Sequence, residues 1–259
     1  MPRLSTSSRS VAGRVALVTG AASGMGRATA HLLADEGAHV AVTDLRQEAV
    51  DAVVAEIAGV GGTAAGFALD VSDPEQVEVV VAAVVERLGP IDILINNAGV
   101  SLGTGIADEH WEEAWAATLA VNLTAHGRMV RACLPHLLRN GDGRIVNIAS
   151  TEGVGASAGA TAYTAAKHGV IGLTRSLAVE LGRTGVTVNA VCPGPINTGM
   201  TAPIPDDMKV KFARRRVPAR RYGEPEEVAH ATLGLVLPAM SFTNGAVLVV
   251  DGGMTIQNT

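Results

Sequence analysis

Short runs dominated by Val, Ile, Leu and Ala alternate along the chain with longer segments whose apolar positions recur at helical spacing. The short runs read as strands at 15–19, 39–43, 66–69, 91–95, 144–148, 186–191 and 247–250. The longer segments read as helices at 24–36, 48–58, 75–88, 109–138 and 163–181. A strand covered on both faces shows as a nearly continuous apolar run, and regular strand–helix alternation builds a parallel sheet with helices on both sides. The pattern therefore predicts one α/β domain, doubly wound, around a parallel seven-stranded sheet. Ligands of such sheets lie beyond the carboxyl ends of the strands, and the polar candidates collect there.

The first strand end is the turn Thr19-Gly20-Ala21-Ala22-Ser23-Gly24-Met25-Gly26. Its G-x-x-x-G-x-G spacing lets backbone N–H groups and a helix N-terminus approach a pyrophosphate. The turn follows a strand, opens a helix, and is followed at the next strand end by Asp44, near the roughly 20-residue offset of an acid that holds a ribose. Together these predict a Rossmann-type site with Gly20, Ser23, Gly24, Met25 and Gly26 at the phosphates and Asp44 and Leu45 at the ribose. A carboxylate there accepts from the ribose hydroxyls and repels a 2′-phosphate, which favours NAD over NADP. Arg46, two residues on, softens that preference, and a helix N-cap is the other reading of Asp44. Asp70, with Val71 beside it, suits an adenine amino group; Asp70, Ser72 or Asp73 can equally cap the helix that contains Pro74. Asn96-Asn97-Ala98-Gly99 closes the fourth strand, where the small Ala98 and Gly99 let a sugar pass close to backbone.

Tyr163 and Lys167 are four apart and share one face of the 163–181 helix. A neighbouring ammonium favours phenolate and draws a phenol down from its reference pKa of about 10. Ser150, arriving from a separate strand end, can hold a substrate oxygen beside that phenol. Each residue alone is an ordinary pattern: a packed tyrosine, a solvated lysine, a turn serine. Only a cofactor site elsewhere in the chain gives the trio weight.

Length and composition narrow the field. A chain of 259 residues without a Pro/Ser-rich linker reads as one large domain, and 47% hydrophobic residues with 3% aromatic predict a core of Ala, Val, Leu and Ile. The net charge of -5 argues against general nucleic-acid affinity. Cys133 and Cys192 lack metal-type spacing, so no metal is expected, and the chain reads as reduced and cytoplasmic. No apolar run reaches the roughly 18 residues of a membrane span. Residues 1–11 lack the apolar segment of a secretory signal and are expected to form a disordered tail, with the domain over 12–259.

Over residues 12–255 the sequence resembles the short-chain dehydrogenase/reductase superfamily, in its single-domain branch of about 250 residues. The resemblance rests on the glycine turn 19–26, Asp70, Asn96-Asn97-Ala98-Gly99, Asn122, Ser150, Tyr163-x-x-x-Lys167, Pro193-Gly194 with Thr198, and Asp251-Gly252-Gly253. It implies that Tyr163 is the general acid/base, that Ser150 polarises the substrate oxygen, and that Lys167 lowers the Tyr163 pKa and holds the nicotinamide ribose. It further implies that Asn122 kinks its helix and positions a water linking Lys167 to solvent. By the same resemblance Asn97, Ala98 and Gly99 adjoin the cofactor; Pro193, Gly194, Ile196 and Thr198 meet the nicotinamide end; a lid spans about 196–221; and relatives are commonly homotetramers.

Substrate choice falls to 101–106, 152–160 and 196–217. Glu152 can bond a second substrate hydroxyl, or cap a helix, or sit in a solvated turn; Met200 offers adaptable apolar contact. The run 209–221 is strongly basic and reads as a solvated helix face or as an attractor for an anionic substrate. The expected reaction is NAD(H)-dependent hydride transfer between a secondary alcohol and a ketone. The alternatives are a 3-oxoacyl-carrier-protein reductase using NADPH, and a non-catalytic dinucleotide sensor.

Overall fold

The computed structural model describes residues 5–257. Seven parallel strands form one sheet in the order β3-β2-β1-β4-β5-β6-β7. They are β1 (Val15–Thr19), β2 (His39–Asp44), β3 (Thr63–Ala68), β4 (Ile93–Asn96), β5 (Arg144–Ile148), β6 (Thr187–Pro193) and β7 (Val247–Val250). Alternate residues of the central strands feed two separate cores, as the two-residue period of a strand requires. Ala16 and Val18 of β1 join Ile93 and Ile95 of β4 on one side, under α1 (Gly24–Asp35), α2 (Gln47–Gly59) and, later in the chain, a helix at Pro225–Val236. Val15, Leu17 and Leu94 join the opposite core, under α3 (Pro74–Leu88) and the helices that follow β4 and β5. The order of strands reverses at β1, whose neighbours are β2 and β4. A crevice therefore opens beyond the ends of β1 and β4.

The expected helix over 109–138 is interrupted. It runs as α4 (Trp111–Leu119), a π-turn at Ala120–Thr124, and α5 (Ala125–Leu137). Asn122 sits in the π-turn, where one extra residue per turn disrupts the regular hydrogen-bond ladder. α6 (Thr161–Leu181) follows β5, and α7 (Asp206–Arg216) lies in the lid. α8 (Pro225–Val236) has no counterpart among the predicted helices, although Glu224-Pro225-Glu226-Glu227 forms a capping box with Pro at the helix start. β3 begins three residues before its expected start at 66.

Residues 1–4 of the expected tail lie outside the described residues. Residues 5–10 carry no helix or strand, yet Ala239 N donates to the Ser8 carbonyl, and Val11 is fully buried in the core beside α1.

Candidate active site

The glycine turn is built by close approach. Gly20 and Gly24 hold φ of 63° and 53°, in the left-handed region. A Cβ on Gly20 would stand 2.8 Å from Ala98 Cα, and one on Gly26 2.1 Å from the Gly20 carbonyl oxygen. Gly26 thus packs helix against turn and is absent from the cleft lining. The Asn97 amide ties the two strand ends together, donating to the Thr19 and Gly20 carbonyls at 2.9 and 3.0 Å. Thr19 Oγ1 accepts in return from the Asn97 and Ala98 N–H groups. Ser23 stands at the N-cap of α1 without a side-chain capping bond, and the first turn holds no acidic residue. The positive end of α1 is therefore left for an anionic ligand.

Asp44 is not a helix cap. Its Oδ2 accepts from Ala22 N at 3.1 Å and its Oδ1 from Leu45 N at 2.7 Å, while the N-cap position of α2 falls to Arg46. The carboxylate is fixed against the glycine turn at the rim of the cleft. Asp70 Oδ1 accepts from the N–H and hydroxyl of Ser72, and Asp73 is the cap of α3.

The cleft encloses about 310 Å3. Gly20, Ser23, Gly24 and Met25 line it near α1; Asp44, Leu45, Asp70 and Val71 line one end. Asn97, Ala98 and Gly99 form its middle, and Tyr163, Lys167, Thr198 and Met200 the other end. Sequence reasoning missed the apolar Leu69, Val100, Val121, Ile148 and Ala149, which carry no chemical signal, and Gly199. A wider, more open groove of about 930 Å3 adjoins at Gly24, Thr198 and Gly199, between α1 and α7, without the reactive trio.

Pro193, Gly194 and Ile196 lie outside this lining. Gly194 N bonds the Val250 carbonyl, fixing the loop to β7; Ile196 is buried, and its carbonyl accepts from the Thr201 hydroxyl. These residues shape the loop that brings Thr198 to the cleft.

At the reactive end Lys167 is buried and donates to the Ile148 carbonyl at 2.8 Å, with Nζ 5.5 Å from the centroid of the Tyr163 ring. Burial pushes its pKa down to about 8, with the nearby Cys192 thiol opposing. The Tyr163 phenol is pushed above its ordinary value, first by burial; the Ser150 side chain pulls it down and the Glu152 charge adds to the rise. The ammonium stands over the ring and donates one hydrogen bond to a backbone carbonyl.

Ser150 Oγ accepts from Glu152 N at 3.1 Å and caps the short turn Thr151–Gly153. Glu152 is engaged within the protein: its oxygens accept from the Ser157 N–H, the Ser157 hydroxyl and the Thr164 hydroxyl, at 2.9, 2.6 and 2.7 Å. It braces the loop against α6 and is absent from the cleft lining. Asn122, fully buried, grips Val100 with both ends of its amide at 2.8 Å. Among the described residues no three His, Cys, Asp or Glu side chains converge on a metal site, and no helix is long and apolar enough to cross a membrane.

A glycine-lined crevice at the point of strand reversal, facing an uncapped helix N-terminus and ending at a half-buried tyrosine beside a buried lysine, defines a nicotinamide-dinucleotide oxidoreductase. Comparison with known proteins sharpens the class. The profile of a family described as enoyl-(acyl carrier protein) reductase matches residues 20–255. The chain is 40% identical to 3-oxoacyl-(acyl-carrier-protein) reductase FabG of Thermotoga maritima over 244 residues, covering 94% of this chain and 98% of that protein. It is 40% identical to D-threitol dehydrogenase of Mycolicibacterium smegmatis over 245 residues, covering 95% and 94%. A solved structure described as an NAD(P)-dependent gluconate 5-dehydrogenase from Beutenbergia cavernae, with NADP bound at low occupancy, superposes with a TM-score of 0.90 at 39% identity, covering 96% and 99%. The chain belongs to the short-chain dehydrogenase/reductase family, and it is an oxidoreductase acting on alcohol or ketone groups.

Proposed function

We propose that the protein transfers hydride between NAD(H) and a secondary alcohol or ketone, with Tyr163 as general acid/base. The observation that carries the cofactor preference is Asp44, whose carboxylate is pinned at the cleft rim beside the glycine turn. A fixed negative charge there accepts from ribose hydroxyls and repels a 2′-phosphate. The glycine cradle, which a Cβ would fill, and the uncapped start of α1 fit the pyrophosphate. Gly20, Ser23, Gly24 and Met25 would hold that group, Asp44 and Leu45 the ribose, Asp70 and Val71 the adenine, and Ala98, Gly99 and Thr198 the nicotinamide half. The nicotinamide supplies or accepts the hydride when bound. Tyr163 gives a proton to the carbonyl oxygen in reduction and takes one from the alcohol in oxidation, while Ser150 orients that oxygen. Lys167, with Nζ 5.5 Å from the centroid of the Tyr163 ring, would place a positive charge beside the phenolate. Asn122 fixes the Val100 backbone at the cleft wall. Met200, half-exposed at the lid, meets the substrate, which is a small molecule.

A second reading, reduction of 3-oxoacyl thioesters with NADPH, draws support from α7. Its last turn presents Arg214, Arg215 and Arg216, and its surface also exposes Met208, Val210 and Phe212. Comparing NADH with NADPH consumption on cyclic ketones, polyol-derived ketones and acetoacetyl thioesters separates the two. Faster turnover of the thioester with NADPH would reverse their order. We further propose a homotetramer in the cytoplasm; β7 exposes Leu248 and Val249, as a strand awaiting a partner surface would, and Cys133 and Cys192 are both free thiols.

A further inference from the structure

The turn that carries Asp70 is held from outside the cleft. Asp73 N donates to the Asp70 carbonyl at 3.1 Å, closing a four-residue turn with Val71 and Ser72 at its centre. Just before it, Leu69 N donates to the Asp44 carbonyl at 2.8 Å, so the turn starts from a point tied to the end of β2. Ser72 gives its N–H and its hydroxyl to the same Asp70 oxygen, Oδ1, at 2.8 and 2.7 Å. Asp70 Oδ2 accepts from no group among the described residues, and Asp70 and Val71 both line the cleft. Ser72 is absent from that lining, and no backbone N–H of the described residues donates to its carbonyl.

The donor for that carbonyl comes from another element. Arg128 Nη1, on α5, donates to the Ser72 carbonyl at 2.5 Å, across 56 positions of sequence. Among the described residues this is the only hydrogen bond of the guanidinium. Arg128 is half-buried and lies between Ala125 and Ala132, at the helical spacing that puts all three on one side of α5. Those alanines share a core with Val77, Val80 and Val81 of α3, so the arginine stem crosses that packing to reach the residue two before α3. A hydrogen bond from a charged donor is about twice as strong as a neutral one, and it fixes the direction of the carbonyl. We propose that Arg128 is a positioning residue for the adenine half of the cofactor: by holding the Ser72 carbonyl toward α5 it sets the turn that presents Asp70 Oδ2 and the Val71 backbone to the cleft. The proposal rests on the dinucleotide reading of the cleft given above. α5 then serves both ends of one ligand, since Asn122, in the π-turn that leads into it, fixes Val100 on the cleft wall.

Titrating the two halves of the cofactor separately tests this. Wild type, Arg128→Met, Arg128→Gln and Arg128→Lys are titrated with ADP and with nicotinamide mononucleotide by calorimetry, and their NADH kinetics are compared. In Arg128→Met the Kd for ADP is expected to rise about tenfold, the loss of one hydrogen bond to a charged group, while affinity for nicotinamide mononucleotide stays at the wild-type value. KM for NADH rises by a similar factor and kcat at saturating NADH is kept. Arg128→Lys, which retains a charged donor, recovers most of the ADP affinity. Arg128→Gln lacks the charge and is expected to weaken ADP as Arg128→Met does, which keeps the measurement decisive if the methionine variant folds poorly. Unchanged ADP affinity in both uncharged variants overturns the proposal. Equal weakening of ADP and nicotinamide mononucleotide also overturns it, and identifies Arg128 as a general brace between α3 and α5. Wild-type protein that binds no ADP overturns the dinucleotide reading and the proposal with it, whereas ADP bound equally by wild type and variants overturns the proposal alone.

Discussion

Lys167→Met is expected to make the nucleotide-free protein more stable at neutral pH while destroying its activity. Lys167 is buried, its ammonium bonds one carbonyl within the protein, and burial lowers its pKa from 10.5 to about 8. At 1.36 kcal/mol per pH unit, that fall corresponds to about 3 kcal/mol of destabilisation when the lysine is charged. Because the folded value lies below the unfolded one, the unfolded chain binds more protons between pH 8 and 10.5, and stability gained from this group rises with pH across that window. The penalty is fully present below about pH 8 and gone above about 10.5. Methionine keeps the apolar stem and removes the charge, so the variant's advantage should approach about 3 kcal/mol at pH 7, less the lost hydrogen bond of about 1 kcal/mol. Denaturant unfolding at fixed protein concentration, at pH 7, 8, 9 and 10, measures it. A variant no more stable than wild type at pH 7, or an advantage that does not shrink toward pH 10, would refute the reasoning.

Tyr163→Phe is expected to lower kcat at least about a hundredfold while NADH binding, followed by fluorescence, is kept; near-normal turnover would sink the acid/base assignment. Asp44→Ala should narrow the NAD over NADP preference in kcat/KM by about tenfold or more, since it removes a charged acceptor for ribose hydroxyls; an unchanged ratio would hand that choice to Arg46 or other contacts. Gly26→Ala places a methyl 2.1 Å from the Gly20 carbonyl oxygen, and overpacking of about 1–3 kcal/mol should weaken NADH binding roughly tenfold to a hundredfold. Wild-type affinity there would mean that the turn relaxes freely. Neutralising Arg214, Arg215 and Arg216 should raise KM for an anionic thioester and leave that for an uncharged ketone alone; equal KM values for both would identify a solvated helix face.

Local pattern revealed most of the sheet because both faces of each central strand are covered, so Val15–Thr19 appears as a nearly continuous apolar run, and Arg144–Ile148 as apolar residues interrupted by Arg144 and Asn147, with the bounds found in the structure. The reactive trio and the glycine turn were readable because their chemistry is carried by residue type and short spacing. What escaped depends on partners distant in sequence. Asn97 looks like a turn residue until its amide meets the Thr19 and Gly20 carbonyls, 78 and 77 positions away. Glu152 reads as a substrate contact, a helix cap or a solvated turn residue until Ser157 and Thr164 fold onto it. The spacing of Tyr163 and Lys167 places them together, but burial decides which way each pKa moves. α8 was legible in its capping box and in the buried Val228, Ala229, Thr232, Leu235 and Val236, and was missed beside the more conspicuous basic lid.

The Glu152 brace bears on how the specificity of this enzyme could be changed. Its carboxylate joins the turn that begins at Ser150 to Thr164, the residue after Tyr163. The Ser150 turn and the residue beside Tyr163 are thus tied by a side-chain brace as well as by the backbone between them. Residues 158–160 can then be exchanged, lengthened or grafted from another dehydrogenase without displacing either reactive group, provided Glu152, Ser157 and Thr164 are carried along. A loop library that leaves those three untouched should change the substrate while keeping the chemistry, whereas one that randomises Glu152 should yield mostly inactive clones.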